Sequence, residues 1–105
     1  MDDLAQDLSS FITAAPTPYH AVAEAAARLR AAGFTEQSAT GPWATGPGGR
    51  FLIQDGTLLA WYLPEGTPAG SPMRIFAAHT DSPTLKVKPL PDVGAAGWRQ
   101  GAVEV

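Results

Sequence analysis

The sequence predicts a small α/β domain in which helices cover a sheet. Three observations carry this prediction: two helical segments at the start, a hairpin signal in the middle, and a short apolar run that ends abruptly in polar residues. With 105 residues, 45% of them hydrophobic and 16% charged, the composition is that of one small globular domain. We therefore take residues 1–105 as a single unit.

The first helix is predicted from apolar residues at helical spacing. These are expected to form one face that packs on the core, and they are Leu4, Leu8, Phe11 and Ile12. Pro16 ends the segment, because the residue before a proline leaves the α region.

The second helix has a start and a stop signal. Thr17 is a favourable N-cap, Pro18 suits the first helical position, and Gly33 is the expected residue just past the end. The intervening residues 19–32 are rich in alanine, with an apolar face at Val22, Ala26 and Leu29.

A hairpin is predicted around Asp55-Gly56, because this dipeptide between apolar runs allows positive φ at both central residues. The strands are residues 51–54 and 57–63, and the second is apolar on both faces, which indicates an internal strand. The glycines and prolines of residues 35–50 predict a loop before it.

After the hairpin, residues 85–88 alternate apolar and basic side chains, which predicts a half-exposed strand that Pro89 and Pro91 stop. Residues 92–101 read as a loop, and residues 102–105 as the beginning of another strand. A chain that ends within a β pattern is expected to be the front piece of a longer protein.

The segment that organises the chain is the apolar run Ile75–Ala78, followed by the polar residues 79–82 and Pro83. It predicts a buried strand with polar groups just past its carboxyl end, where open α/β sheets bind ligands. Side chains two apart in extended chain point the same way, so His79 and Asp81 would face one spot and Thr80 would turn away.

A histidine beside a carboxylate suits a metal site, because neutral imidazole is the ligand and the carboxylate fixes its tautomer. The H-x-D spacing by itself is also compatible with an ordinary surface turn. A serine hydrolase built on Ser82 and His79 is disfavoured, since no G-x-S-x-G elbow is present and Ser82 precedes a proline.

Charge and composition exclude other classes. A net charge of −3 and a pI near 5.1 give no basic footprint for nucleic acid or an anionic membrane. No segment reaches the roughly 18 apolar residues of a membrane span, and there is no basic signal-peptide region. Cysteine is absent, which fits a reducing compartment. We expect a cytoplasmic protein that binds neither nucleic acid nor membranes.

Several stretches resemble the aspartyl-aminopeptidase family of dinuclear zinc exopeptidases, in the same order along the chain. The specific ones are Pro-Tyr-His-Ala-Val at residues 18–22 and Ala-His-Thr-Asp-Ser-Pro at residues 78–83. The supporting ones are residues 10–12, 32–34, 42–43, 48–49 and 101–105.

The resemblance implies the N-terminal piece of a three-layer helix/sheet/helix catalytic domain. It also implies that His79 is a zinc ligand and that Asp81 is the catalytic-site residue that orients its imidazole. Two zinc ions per complete site, a peptide substrate with an acidic N-terminal residue and a homo-oligomeric complete protein follow as expectations. The other metal ligands and a glutamate base would lie beyond residue 105.

Two hypotheses about function remain at this point, and the first is the N-terminal piece of a zinc aminopeptidase. The remaining candidate ligands of the chain are not expected to complete a site, and they are His20, Asp55, Glu65, Asp92 and Glu104. A non-enzymatic α/β module that binds a partner through open sheet edges is therefore the second hypothesis.

Four cations could by charge alone recognise an acidic side chain of a substrate, and they are Arg50, Arg74, Lys86 and Lys88.

Overall fold

A computed structural model describes residues 2–105, so Met1 lies outside the described part of the chain. It contains two helices and five strands, which confirms the α/β class. The elements are α1 (Asp2–Ala14), α2 (Pro18–Ala31), β1 (Thr35–Glu36), β2 (Gly48–Gln54), β3 (Thr57–Leu63), β4 (Lys86–Ala95) and β5 (Trp98–Glu104). Helix α2 packs on a sheet of β1, β2 and β3, whereas β4 and β5 form a separate hairpin.

Helix α1 forms as predicted, but most of its apolar face is exposed. Leu4, Leu8 and Ile12 all face solvent, because among the described elements α1 contacts α2 alone. The contact centres on Arg28, whose guanidinium lies 5.2 Å from the ring centroid of Phe11 and donates to both carboxylate oxygens of Asp7. The prediction that the apolar face of α1 packs on the core is therefore wrong within residues 2–105.

Arg28 joins the two helices through charge as well as packing. Its guanidinium reaches Asp7 of α1 at 2.7 Å and Glu24, one turn earlier in α2, at 2.8 Å. The hydrogen bonds with Asp7 and then Glu24 raise the pKa of Arg28. Because the pKa of an arginine already lies far above neutrality, Arg28 stays positively charged, and its ion pairs persist, throughout the physiological pH range.

Helix α2 begins and ends at the predicted signals. Thr17 has extended backbone angles, φ −136° and ψ 163°, and its hydroxyl accepts from the amide of His20 at 3.3 Å. Gly33 adopts φ 85° just past the helix. Val22 and Ala26 are buried, as expected for the face that packs on the sheet.

The sheet has β2 at its centre, between parallel β1 and antiparallel β3. Phe51 of β2 is fully buried and lies 5.1 Å from the guanidinium of Arg30 in α2. The prediction that residues 57–63 form an internal strand is wrong within residues 2–105: β3 lies at the edge of this sheet, and its Leu59 and Tyr62 are exposed. The other side of β2 is occupied by β1, which lies in the predicted loop and is too short to show a periodicity.

The β2–β3 hairpin is confirmed, with an unbroken register from Gly48 opposite Leu63 to Gln54 opposite Thr57. Positive φ occurs at Asp55 (52°) but not at Gly56. Strand β2 begins three residues before the predicted strand, because Gly48, Gly49 and Arg50 pair with β3 as well.

The predicted strand at Ile75–Ala78 is not a strand. Residues 71–85 contain no helix or strand, and the side chains of Ile75 and Phe76 are 80% and 95% exposed. A β-strand requires a neighbour to pair with, and no strand within residues 2–105 pairs with this run. The apolar pattern indicates a buried environment that the described residues do not supply.

Strands β4 and β5 correct the prediction for residues 85–101. Instead of stopping at Pro89 and Pro91, β4 continues to Ala95, and its register shifts between Val87 and Asp92. Both prolines lie in this irregular part, where no ladder pair requires their missing amide hydrogens. The predicted loop contains the turn of the hairpin.

Candidate metal site

The site segment, residues 78–83, is attached to the sheet by Thr80. Its hydroxyl donates to the carbonyl oxygen of Gly56 at 2.8 Å, across 24 residues of sequence. Gly56 is in the β2–β3 turn, and this turn abuts the start of α2, since a Cβ on Gly56 would lie 3.1 Å from Cβ of Pro18. The segment is thus held at the junction of the hairpin turn and the helix.

His79 and Asp81 come together on the side that Thr80 leaves free, which confirms the predicted alternation. Nδ1 of His79 lies 2.7 Å from the carbonyl oxygen of Asp81 and 3.3 Å from its Oδ1. Both side chains are about four-fifths exposed, at 82% and 81%. Their accessibility leaves room for a ligand beside them.

The geometry selects which ring nitrogen of His79 can bind a metal. A carbonyl oxygen only accepts hydrogen bonds, so Nδ1 of His79 carries the proton in its contact with Asp81. In neutral imidazole the lone pair is then on Nε2, and no hydrogen bond engages Nε2 within residues 2–105. This is the arrangement in which a carboxylate-bearing residue orients a metal-binding histidine.

An open cleft of about 940 Å³ lies in front of this pair. It is bounded by the start of α2, by the site segment, and by the start of β4, which pairs there with the end of β5. His79, Asp81 and Ser82 line it, together with Lys86 and Glu104, which oppose each other in the β4–β5 register with Nζ and Oε1 3.4 Å apart. A peptide end could enter such a cleft.

The other candidate ligands do not gather around His79. His20 has its Nδ1 2.7 Å from the Thr17 hydroxyl, Asp55 is in the hairpin turn, and Asp92 pairs with Gly101 in the β4–β5 ladder. Glu104 lines the cleft but pairs with Lys86. Within the described residues, no group of three histidine or acidic side chains is placed to hold a metal ion.

The four candidate cations are also separated by the structure. Lys86 lines the cleft, whereas the lining does not include Arg50, Arg74 or Lys88. Charge alone could not make this distinction, because it depends on the pairing of β4 with β5.

Sequence reasoning missed two features of the site, the bond from Thr80 to the hairpin turn and the approach of β5 to the cleft. The approach of β5 to the cleft is indicated by Ala96-Gly97, which forms the β4–β5 turn with φ 51° and 81°, as a type I′ turn requires. The hydrogen bond of Thr80 leaves no pattern in the sequence, because it joins a side chain to a distant backbone oxygen.

No helix within residues 2–105 is long and apolar enough to cross a membrane.

Comparison with known proteins assigns the family. The family model for aminopeptidase I zinc metalloprotease (M18) matches residues 11–105. Proteins called probable M18 family aminopeptidase 2 are similar to this chain: that of Streptomyces coelicolor is 57% identical over 94% of the chain and 23% of its own length, and that of Mycobacterium leprae is 46% identical over 95% and 24%.

A solved structure has the same fold. The chain matches, with a TM-score of 0.85 and 34% identity, a structure described as the cryo-EM structure of the Ape4 and Nbr1 complex, covering 95% of this chain and 20% of the other. The chain thus spans about a quarter of the length of the curated relatives cited and a fifth of this structure. The match across residues 11–105, together with 57% identity to one relative, shows that the chain belongs to the M18 aminopeptidase family.

Proposed function

We propose that this chain supplies the first metal ligand, His79, of a zinc aminopeptidase. The observation that carries the proposal is the contact of His79 Nδ1 with Asp81, at 2.7 Å from its carbonyl oxygen and 3.3 Å from Oδ1, which leaves Nε2 available to bind a metal. Membership of a family described as zinc metalloproteases supports zinc as the metal.

The residues present fit one part of such a centre. His79 would bind the metal through Nε2, and Asp81 would hold the imidazole in the correct tautomer and orientation. Zinc in such a site lowers the pKa of a bound water and polarises the scissile carbonyl of the peptide.

The proposal places the remaining ligands outside this chain. A catalytic zinc takes about three protein ligands, and the described residues contain no suitable group of three. Because the chain spans about a quarter of its curated relatives, we propose that it is the N-terminal piece of a longer enzyme. By resemblance to aspartyl aminopeptidases, its later residues complete a two-zinc site and supply the glutamate base, and the complete protein is a homo-oligomer. The composition supports a cytoplasmic location.

We also propose that the enzyme removes acidic N-terminal residues. The support is the resemblance of residues 18–22 and 78–83 to aspartyl aminopeptidases, together with a cation, Lys86, on the cleft wall. Nζ of Lys86 lies 3.4 Å from Oε1 of Glu104, so its charge is partly neutralised. The proposed preference for acidic N-terminal residues is therefore not assigned to Lys86, and it is tested with substrates.

The test compares the complete protein with its His79→Ala and His20→Ala variants. His20 is the matched control, because it is the other histidine of the chain and contacts Thr17 at the helix start. We expect His79→Ala to lose bound zinc and hydrolysis of peptides that begin with Asp or Glu, and His20→Ala to retain both. Full zinc content and activity in His79→Ala would contradict the proposed role of His79. A complete parent protein that neither binds zinc nor hydrolyses peptides would favour the non-enzymatic module. Equal rates on Asp- and Leu-initiated peptides would contradict the acidic preference alone.

A further inference from the structure

Residues 72–85 carry the candidate ligand but lack a strand or helix of their own. Their attachment to the rest of the fold is therefore concentrated in a few contacts. Within the described chain, the bond from the Thr80 hydroxyl to the Gly56 carbonyl is the one hydrogen bond that joins this segment to another part of the protein. Other hydrogen bonds of its side chains are local, as between His79 and Asp81.

The acceptor of this bond belongs to a well-fixed element. Gly56 closes a hairpin that is paired along seven residues of each strand, and its Cα faces Pro18 closely enough that an added Cβ would lie 3.1 Å from the proline Cβ. Pro18 itself lines the cleft in front of His79. The Gly56 carbonyl is thus a fixed point beside the site.

The donor lies between the two site residues. Because side chains alternate in extended chain, anchoring Thr80 on one side directs His79 and Asp81 together to the other. The Nδ1 contact of His79 with the Asp81 backbone at 2.7 Å spans the Thr80 residue, so its geometry depends on the backbone angles of Thr80.

We propose that Thr80 is a positioning residue for the metal ligand His79, acting through its hydrogen bond to the Gly56 carbonyl. The proposal rests on the proposed role of His79 as a zinc ligand. Thr80 is not proposed to contact the metal. It fixes the backbone from which the imidazole projects, so its loss weakens metal binding by adding freedom to the ligand segment.

The test replaces the hydroxyl in the complete protein. Thr80→Val removes the hydroxyl at nearly constant volume, and Thr80→Ser retains it. Thr67→Val is the matched control, because the Thr67 hydroxyl also donates to a backbone carbonyl, that of Pro64 at 2.7 Å, in a loop outside the cleft lining. Zinc affinity is measured by chelator competition, and ligand geometry by the visible spectrum of the cobalt-substituted protein.

We expect Thr80→Val to weaken zinc affinity by roughly 10- to 100-fold, the range found when residues that orient metal ligands are changed, and to alter the cobalt spectrum. Thr80→Ser and Thr67→Val should match the parent protein in both. If Thr80→Val lowers the unfolding temperature, Thr80→Ala replaces it, since alanine removes the hydroxyl and places no methyl group against the turn.

The outcomes separate the two proposals. Loss of zinc in His79→Ala with parental affinity and spectrum in the hydroxyl-deleted variant would overturn the positioning role and leave the proposed function standing. Parental zinc binding in His79→Ala would overturn both. An equal loss of affinity in Thr67→Val would also overturn the positioning role, because the effect would then come from general loosening of loops.

Discussion

Gly49→Ala in β2 tests how α2 and the sheet are packed together. An added Cβ would lie 2.6 Å from Cγ and Cδ1 of Phe34 and 2.7 Å from Cδ2. Carbon atoms in contact prefer about 3.5–4.0 Å, so the overlap is on the order of 1 Å. Forcing an extra methyl into such a site typically costs about 1–3 kcal/mol of unfolding free energy.

The ring of Phe34 has little freedom to move away. Its amide donates to the Leu29 carbonyl at 2.9 Å at the end of α2, and the ring packs on Tyr62 of β3 at a centroid distance of 6.2 Å. The clash is therefore expected to shift α2 relative to β2, and the full cost should appear as lost stability.

Hydrogen exchange of the β2 and β3 amides in the complete protein measures this cost locally. Gly101→Ala in β5 is the matched control, because it is also a strand glycine and a Cβ there would meet no atom within 4 Å. We expect faster exchange in Gly49→Ala and partial recovery when Phe34 is also replaced by leucine. Equal exchange in the two glycine variants would refute the packing argument.

Two further substitutions test local features of the fold. Ala96→Asn places a residue that tolerates positive φ where alanine has φ 51°, so it should stabilise the β4–β5 hairpin by about 0.5–1 kcal/mol, seen as slower hydrogen exchange in β5, and faster exchange would contradict this. Thr17→Ala removes the acceptor for the His20 amide and should destabilise the first turn of α2 by about 1 kcal/mol, with Thr13→Ala in α1 as control. Unchanged exchange in α2 would show that the cap is dispensable.

Local signals in the sequence predicted much of the fold. Thr17 and Gly33 mark the bounds of α2, Asp55-Gly56 marks the hairpin, and the alternation at residues 79–81 predicted which side chains meet. Each of these depends on interactions within a few residues, which is why the pattern alone was sufficient.

Features that depend on distant partners were not predicted. Within residues 2–105, β3 is an edge strand because β2 alone pairs with it, and no local pattern in the sequence indicates the number of neighbours. The exposure of Phe76 arises because nothing in the described chain covers it, although its run of apolar residues indicates burial. The continuation of β4 past its prolines required a register irregularity that only the opposing strand reveals.

The sequence indicated that His79 and Asp81 lie together, and their role in metal binding stays a prediction, whereas the contact that holds this segment in place was not predicted. His79 and Asp81 were identified from spacing and resemblance, whereas the anchor at Gly56 is a contact across 24 residues. A side-chain bond to a backbone oxygen requires no particular residue at the acceptor, so sequence cannot indicate it.

We propose above that His79 binds zinc through Nε2 while Asp81 orients the ring. A crystal structure of the complete protein with anomalous diffraction measured at the zinc edge tests it most directly. We expect a zinc peak about 2.0–2.1 Å from Nε2 of His79, with Nδ1 still hydrogen-bonded to Asp81. Zinc bound elsewhere, or bound through Nδ1, would contradict it.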